Sequence, residues 1–186
     1  MGTFSKIPEG AIKTPIPKVK QKTCFSCGSA ALHSICVYWG VGPKSEYDYI
    51  KHLQTDEAFG TLPNKIIKFA KSKGLIVEAK HEMTIHELIS FLDGGKPVIV
   101  LLQAWGNLKK YKGCYSGHYV VAIGYDDTKI YFEDPLLHGQ RGYLTKKQFC
   151  ERWIDYDALG NYYYRYGIAI WKEESPIFMS VAKKID

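Results

Sequence analysis

No apolar run in this sequence is long enough to cross a bilayer. The longest, Pro97–Leu102 (PVIVLL), falls far short of the roughly 20 residues that a membrane helix needs. No basic-then-apolar leader opens the chain, and Lys6 stands where a myristoylation signal requires Ser or Thr, so neither a secretory signal nor that lipid anchor is read. An even set of cysteines is also missing. The five present (Cys24, Cys27, Cys36, Cys114 and Cys150) argue against a disulfide scaffold and for a reducing, cytoplasmic setting. Internal repeats and low-complexity tracts are absent as well.

What is there fits one globular domain: 186 residues, 46% apolar and 24% charged, able to bury roughly 70% of the unfolded surface without staples. A net charge of +6 would suit a nucleic-acid partner, but its distribution speaks against one. Residues 1–22 hold five lysines against the single Glu9, which accounts for four of the six charges, and the remainder is nearly neutral. Pro8, Pro15 and Pro17 rule out a helix in that stretch. The expected division is a basic, extended and solvated arm over 1–17, a body over 18–171 and a tail over 172–186.

Helix signals dominate the first half. Ala31, Ile35, Tyr38 and Trp39 share one helical face, and that helix begins near Ser26 or Cys27. Ser45 with Asp48 opens a second helix, and Pro63 opens a third that stops at Gly74. Leu75–Lys80 reads as a strand, and Thr84 with Glu87 as a capping box ahead of a fourth helix closed by Gly94-Gly95. Then the pattern turns to β. Pro97–Ala104, His118–Tyr125, Lys129–Glu133 and Tyr162–Trp171 read as strands, with a capped short helix at Thr145–Gln148. Helices followed by an antiparallel sheet give an α+β fold, expected in two layers.

Cys27 opens a predicted helix and precedes Gly28. The positive end of the helix dipole favours thiolate, the nucleophilic form, although a lone cysteine is more often simply buried packing. His118 starts a strand and Asp134 ends the next one, directly before Pro135. If the hairpin loop is Asp126–Thr128, Tyr125 pairs with Lys129 and Asp134 lies opposite Val120. His118 is then a diagonal neighbour on the same face, at roughly 7–8 Å. A loop of two or four residues would put the two side chains on opposite faces. Gln21, in the segment leading to Cys27, is placed to offer an amide to a developing oxyanion beside the Cys27 N–H.

Taken together, Gln21 in VKQKT, Cys27 in SCGSAAL, His118 in SGHYVVAIGY and Asp134 in FEDP resemble the papain-like cysteine peptidases that process bacteriocin precursors at double-glycine leaders. The spacing of Gln to Cys-Gly and of Gly-His to Asp-Pro follows that family. So does the downstream context of Gly142, Leu144-Thr145, Phe149 and Trp153, so that the resemblance spans roughly 18–171. It departs at Ser26, where many members carry an acid, and no exporter membrane segments or ATPase follow here.

The resemblance implies a papain-like fold, with the N-terminal helical part packed on an antiparallel sheet, and a thiol protease acting on peptide or protein substrates without metal or cofactor. In it Cys27 attacks the scissile carbonyl, His118 carries the proton, Asp134 holds the imidazole tautomer, and Gln21 with the Cys27 N–H stabilises the oxyanion. It also implies an exporter as partner. Three alternatives stand beside it. Cys24, Cys27, Cys114 and His118 have the spacing of a Cys₃His zinc site, which leaves Gln21 and Asp134 without roles. The same fold can serve as a catalytically silent peptide-binding domain. It can also transfer the acyl group to another acceptor, as in the phytochelatin synthases, which the chain resembles less closely.

Overall fold

The computed structural model describes residues 6–104, 117–137, 140–157 and 159–173. Helix α1 (Cys27–Tyr38) is followed by α2 (Glu46–Leu53), α3 (Pro63–Ser72), strand β1 (Ile76–Lys80) and α4 (Ile85–Asp93). Strands β2 (Val98–Gln103), β3 (Gly117–Tyr125), β4 (Lys129–Glu133) and β5 (Arg141–Thr145) come next. The described chain ends with α5 (Lys146–Arg152), β6 (Ile154–Tyr156), β7 (Tyr162–Tyr164) and β8 (Gly167–Trp171). The local signals act as their chemistry dictates. Ser45 caps α2, Pro63 occupies the first turn of α3, and both capping boxes form, at Thr84–Glu87 and Thr145–Gln148.

Six strands form one antiparallel sheet in the order β1-β8-β2-β3-β4-β5, and β6 with β7 makes a separate two-stranded ribbon. The fold is the expected α+β, but with three layers. Ile99, Leu101, Val121 and Ile123 pack beneath α1, α2 and α3, while Val98, Val100, Val120 and Ala122 pack against α4 and α5 on the other face. Every residue of β2 is buried, as its unbroken apolar run demands of a strand covered on both sides. The expected last strand divides in two. Arg165, at φ 46°, turns the chain between β7 and β8, and its N–H donates to the Trp153 carbonyl at 2.8 Å.

The β3–β4 hairpin differs from expectation in a way that matters for the site. Tyr125 pairs with Ile130 rather than Lys129, so the loop holds four residues, closed by an N–H of Asp126 donating to the Lys129 carbonyl at 3.0 Å. Such a loop would invert the faces, but a β-bulge between Ala122 and Gly124 inserts Ile123 and restores the register to Val121 opposite Glu133. His118 and Asp134 thus share a face by way of the bulge.

That bulge also anchors the segment expected to be solvated. The N–H groups of Lys13 and Thr14 both donate to the Ile123 carbonyl at 2.9 Å, and the N–H of Tyr125 donates to the Ala11 carbonyl at 2.8 Å. Ala11 and Ile16 are buried in the core. A Cβ on Gly124 would meet the Ala11 carbonyl at 2.0 Å, so only glycine lets the two backbones approach this closely. The segment is a strap across the sheet.

Candidate active site

Cys27 is the first residue of α1, and Ser26, though at the cap position, does not cap the helix. Its hydroxyl instead donates to Glu46 Oε1 at 2.8 Å and accepts the Thr23 N–H at 3.1 Å. No acid lies in the first turn and no side chain caps it, so the first N–H groups of the helix and their positive field are directed toward the thiol. Gly28 lets this turn sit flush on its neighbours, since a Cβ there would lie 2.6 Å from Thr61 Cβ and 3.1 Å from the Tyr119 ring. Tyr119 Oη in turn donates to the Thr61 carbonyl at 2.7 Å.

His118, buried at the start of β3, donates through Nε2 to Asp134 Oδ1 at 2.7 Å. The same oxygen accepts the Leu136 N–H at 2.9 Å, which fixes the carboxylate. With Nε2 engaged, Nδ1 is the nitrogen left to face a thiol. Burial works against a charged ring, but the hydrogen bonds and charges of Asp134 and Cys27 outweigh it and raise the His118 pKa to about 9. The structure therefore brings Cys27, His118 and Asp134 into one contiguous set.

Gln21 joins that neighbourhood through its backbone, its N–H donating to the Pro135 carbonyl at 3.1 Å. Its side-chain Nε2 donates to the Thr23 carbonyl at 2.7 Å and keeps a second N–H, while its buried Oε1 accepts from no described group. No described contact joins the Gln21 amide to Cys27. The segment is held on both sides: Lys22 N–H donates to Glu46 Oε1 at 3.1 Å, and Arg141 binds the Ile16 carbonyl and Glu133.

Two acids escaped the sequence reading. Glu46, on α2, stands behind Ser26, so a carboxylate reaches the first turn of α1 through a serine hydroxyl. Asp155, on β6, lies at the cleft beside Cys27, with its pKa raised to about 7, burial being the largest cause. Neither had a spacing signal, because each arrives on an element far away in the chain. The zinc alternative needs Cys114, which lies outside the described residues. Among the described residues no group of three His, Cys, Asp or Glu side chains is placed to hold a metal.

A family model described as the Peptidase_C39 like family matches residues 13–162. Solved structures with the same fold include a C39-like peptidase from Bacillus anthracis (17% identity, TM-score 0.70, 90% of this chain and all of that one). A double glycine motif protease from an AMS/PCAT transporter, in complex with its leader peptide, is 15% identical, with TM-score 0.63 over 88% of this chain and 96% of that one. The peptidase domain of Streptococcus ComA, a bifunctional ABC transporter, is 22% identical, with TM-score 0.62 over 83% and 97%. No curated protein matches the sequence.

Proposed function

The chain belongs to the Peptidase_C39-like family, and from that premise we propose that it is a cysteine peptidase that cleaves peptide bonds with Cys27, His118 and Asp134. The observation that carries this reading is the buried His118 ring, bonded to Asp134 at 2.7 Å and raised in pKa by both Asp134 and Cys27. A ring so held accepts the thiol proton and remains charged at neutral pH, leaving the sulfur to attack. Asp134 keeps the proton on Nε2, so Nδ1 is the atom that receives the thiol proton and later gives it to the leaving amine. The Cys27 N–H and the spare N–H of Gln21 are the donors for the oxyanion. Water then releases the acyl group from Cys27. The substrates we propose are precursor peptides with double-glycine leaders, delivered in partnership with an exporter, as the relatives suggest.

The test is selective alkylation. At neutral pH a limiting dose of iodoacetamide, followed by peptide mapping, is expected to modify Cys27 well ahead of Cys24, Cys36, Cys114 and Cys150. Equal, slow modification of all five overturns the assignment of Cys27 as an activated nucleophile.

A further inference from the structure

The triad leaves unexplained a cleft of about 450 Å³ beside the thiol. Leu101, Gly117 and Tyr119 line it together with three acids, Glu57, Asp155 and Asp157, and among the described residues no Lys, Arg or His lines it. The acids are not equivalent. Glu57 is exposed. Asp157 is fully engaged, accepting the N–H groups of Leu159 and Asn161, the Asn161 amide and the Tyr163 hydroxyl; although burial opposes it, these bonds hold its pKa below the ordinary value.

Asp155 is different, being only 6% exposed. Its Oδ1 accepts from Gln103 Nε2 and from the Tyr156 N–H, both at 2.8 Å. Its Oδ2 accepts from no described group and is left to the cleft that the residue lines. Gly117 makes room for it, since a Cβ there would lie 2.4 Å from Oδ2, one residue before His118. Most of the carboxylate is withdrawn from water, which makes its charge costly, while Oδ2 stays open to the cleft. Burial accordingly pushes its pKa up, against the Tyr156 and Gln103 bonds and the His118 charge. A cation from outside would supply the missing partner.

We propose that this cleft is a subsite for a cationic substrate side chain, lysine or arginine, whose head group is held by Asp155 Oδ2 while Glu57 and Asp157 contribute negative field. The word "substrate" rests on the peptidase reading; the subsite's charge preference does not. The test therefore uses small thiol probes of three charges: aminoethyl (cationic), sulfonatoethyl (anionic) and methyl (neutral) methanethiosulfonates. Rates of Cys27 modification are followed by peptide mapping, and each charged rate is divided by the neutral one, which cancels changes in thiol reactivity. The cationic-to-anionic ratio is expected to fall about tenfold in Asp155→Asn; a ratio that the substitution leaves in place overturns the proposal.

A second measurement on the unsubstituted protein stands if that variant does not fold. Nα-acetyl-lysine amide should slow modification of Cys27 by the neutral probe, and Nα-acetyl-norleucine amide at the same concentration should not. Equal protection by both overturns the subsite. Should no peptide be cleaved at all, the peptidase reading fails, while these ratios still decide the charge preference of the cleft.

Discussion

At Gly28 the absence of a side chain sets the position of the Cys27 thiol. Gly28→Ala would drive a methyl group into Thr61 and Tyr119, and the first turn of α1, with Cys27 on it, would have to move. A shift of about 1 Å at a reacting atom costs on the order of 100-fold in rate. We therefore expect kcat/KM to fall by about that factor while the variant still folds, with peptide cleavage and urea unfolding measured side by side. At Asp155 burial ties stability to pH. Its folded pKa is raised from 3.8 to about 7, so the folded state holds a proton that the unfolded chain releases. Its contribution to stability is thus complete below pH 3.8 and lost as pH rises through about 7. The melting temperature of Asp155→Asn relative to wild type should increase between those limits, and a flat difference would contradict the assignment. Cys27, His118 and Asp134 were legible because each sits at the end of an element with a signal of its own. Asp155 and Glu46 were not, because nothing local marks a residue that meets the site only through tertiary packing.

Among the elements, the β3–β4 hairpin shows how a correct placement arises from a different geometry. Chain length around Asp126–Thr128 suggested a three-residue loop. The side-chain oxygen of Asp126 instead accepts the N–H groups of Thr128 and Lys129 at 2.7 Å, which stabilises the longer turn, and the bulge at Ile123 compensates. A bulge is decided by what pairs with the released carbonyl, here the strap, and a sequence pattern holds no record of that partner. Strands β5 and β6 were also illegible: β5 (RGYLT) and β6 (IDY) are short and only partly apolar, and they form by pairing. On β5, Arg141 binds the buried Glu133 at 2.6 Å, whose pKa burial has already raised to about 7 despite that cation. Arg141→Ala would take from the buried carboxylate the cation bonded to it and release the Ile16 carbonyl. The expected loss is about 3 kcal/mol near neutral pH and less in acid, where Glu133 is protonated; urea midpoints at the two pH values check it.

For the whole molecule, the strap changes what the positive charge means. Its lysines belong to a segment whose apolar residues, Ala11 and Ile16, complete the core, and whose far end presents Gln21 to the Asp134–Pro135 turn. Deleting residues 1–16 removes that burial and the two donors on the Ile123 carbonyl. It should lower stability by about 3 kcal/mol, read as an earlier unfolding midpoint, whereas a free basic arm would leave the midpoint unchanged. Composition located the charge correctly, but it does not tell a solvated arm from a strap, because two apolar residues among prolines and lysines carry no periodicity. Peptide cleavage by Cys27 is checked with an internally quenched peptide containing a Gly-Gly bond, incubated with wild type and with Cys27→Ala and followed by mass mapping of the products. Wild type is expected to cleave the peptide and the variant to do so at least about 1,000-fold more slowly; cleavage that persists in Cys27→Ala would rule out Cys27 as the attacking group.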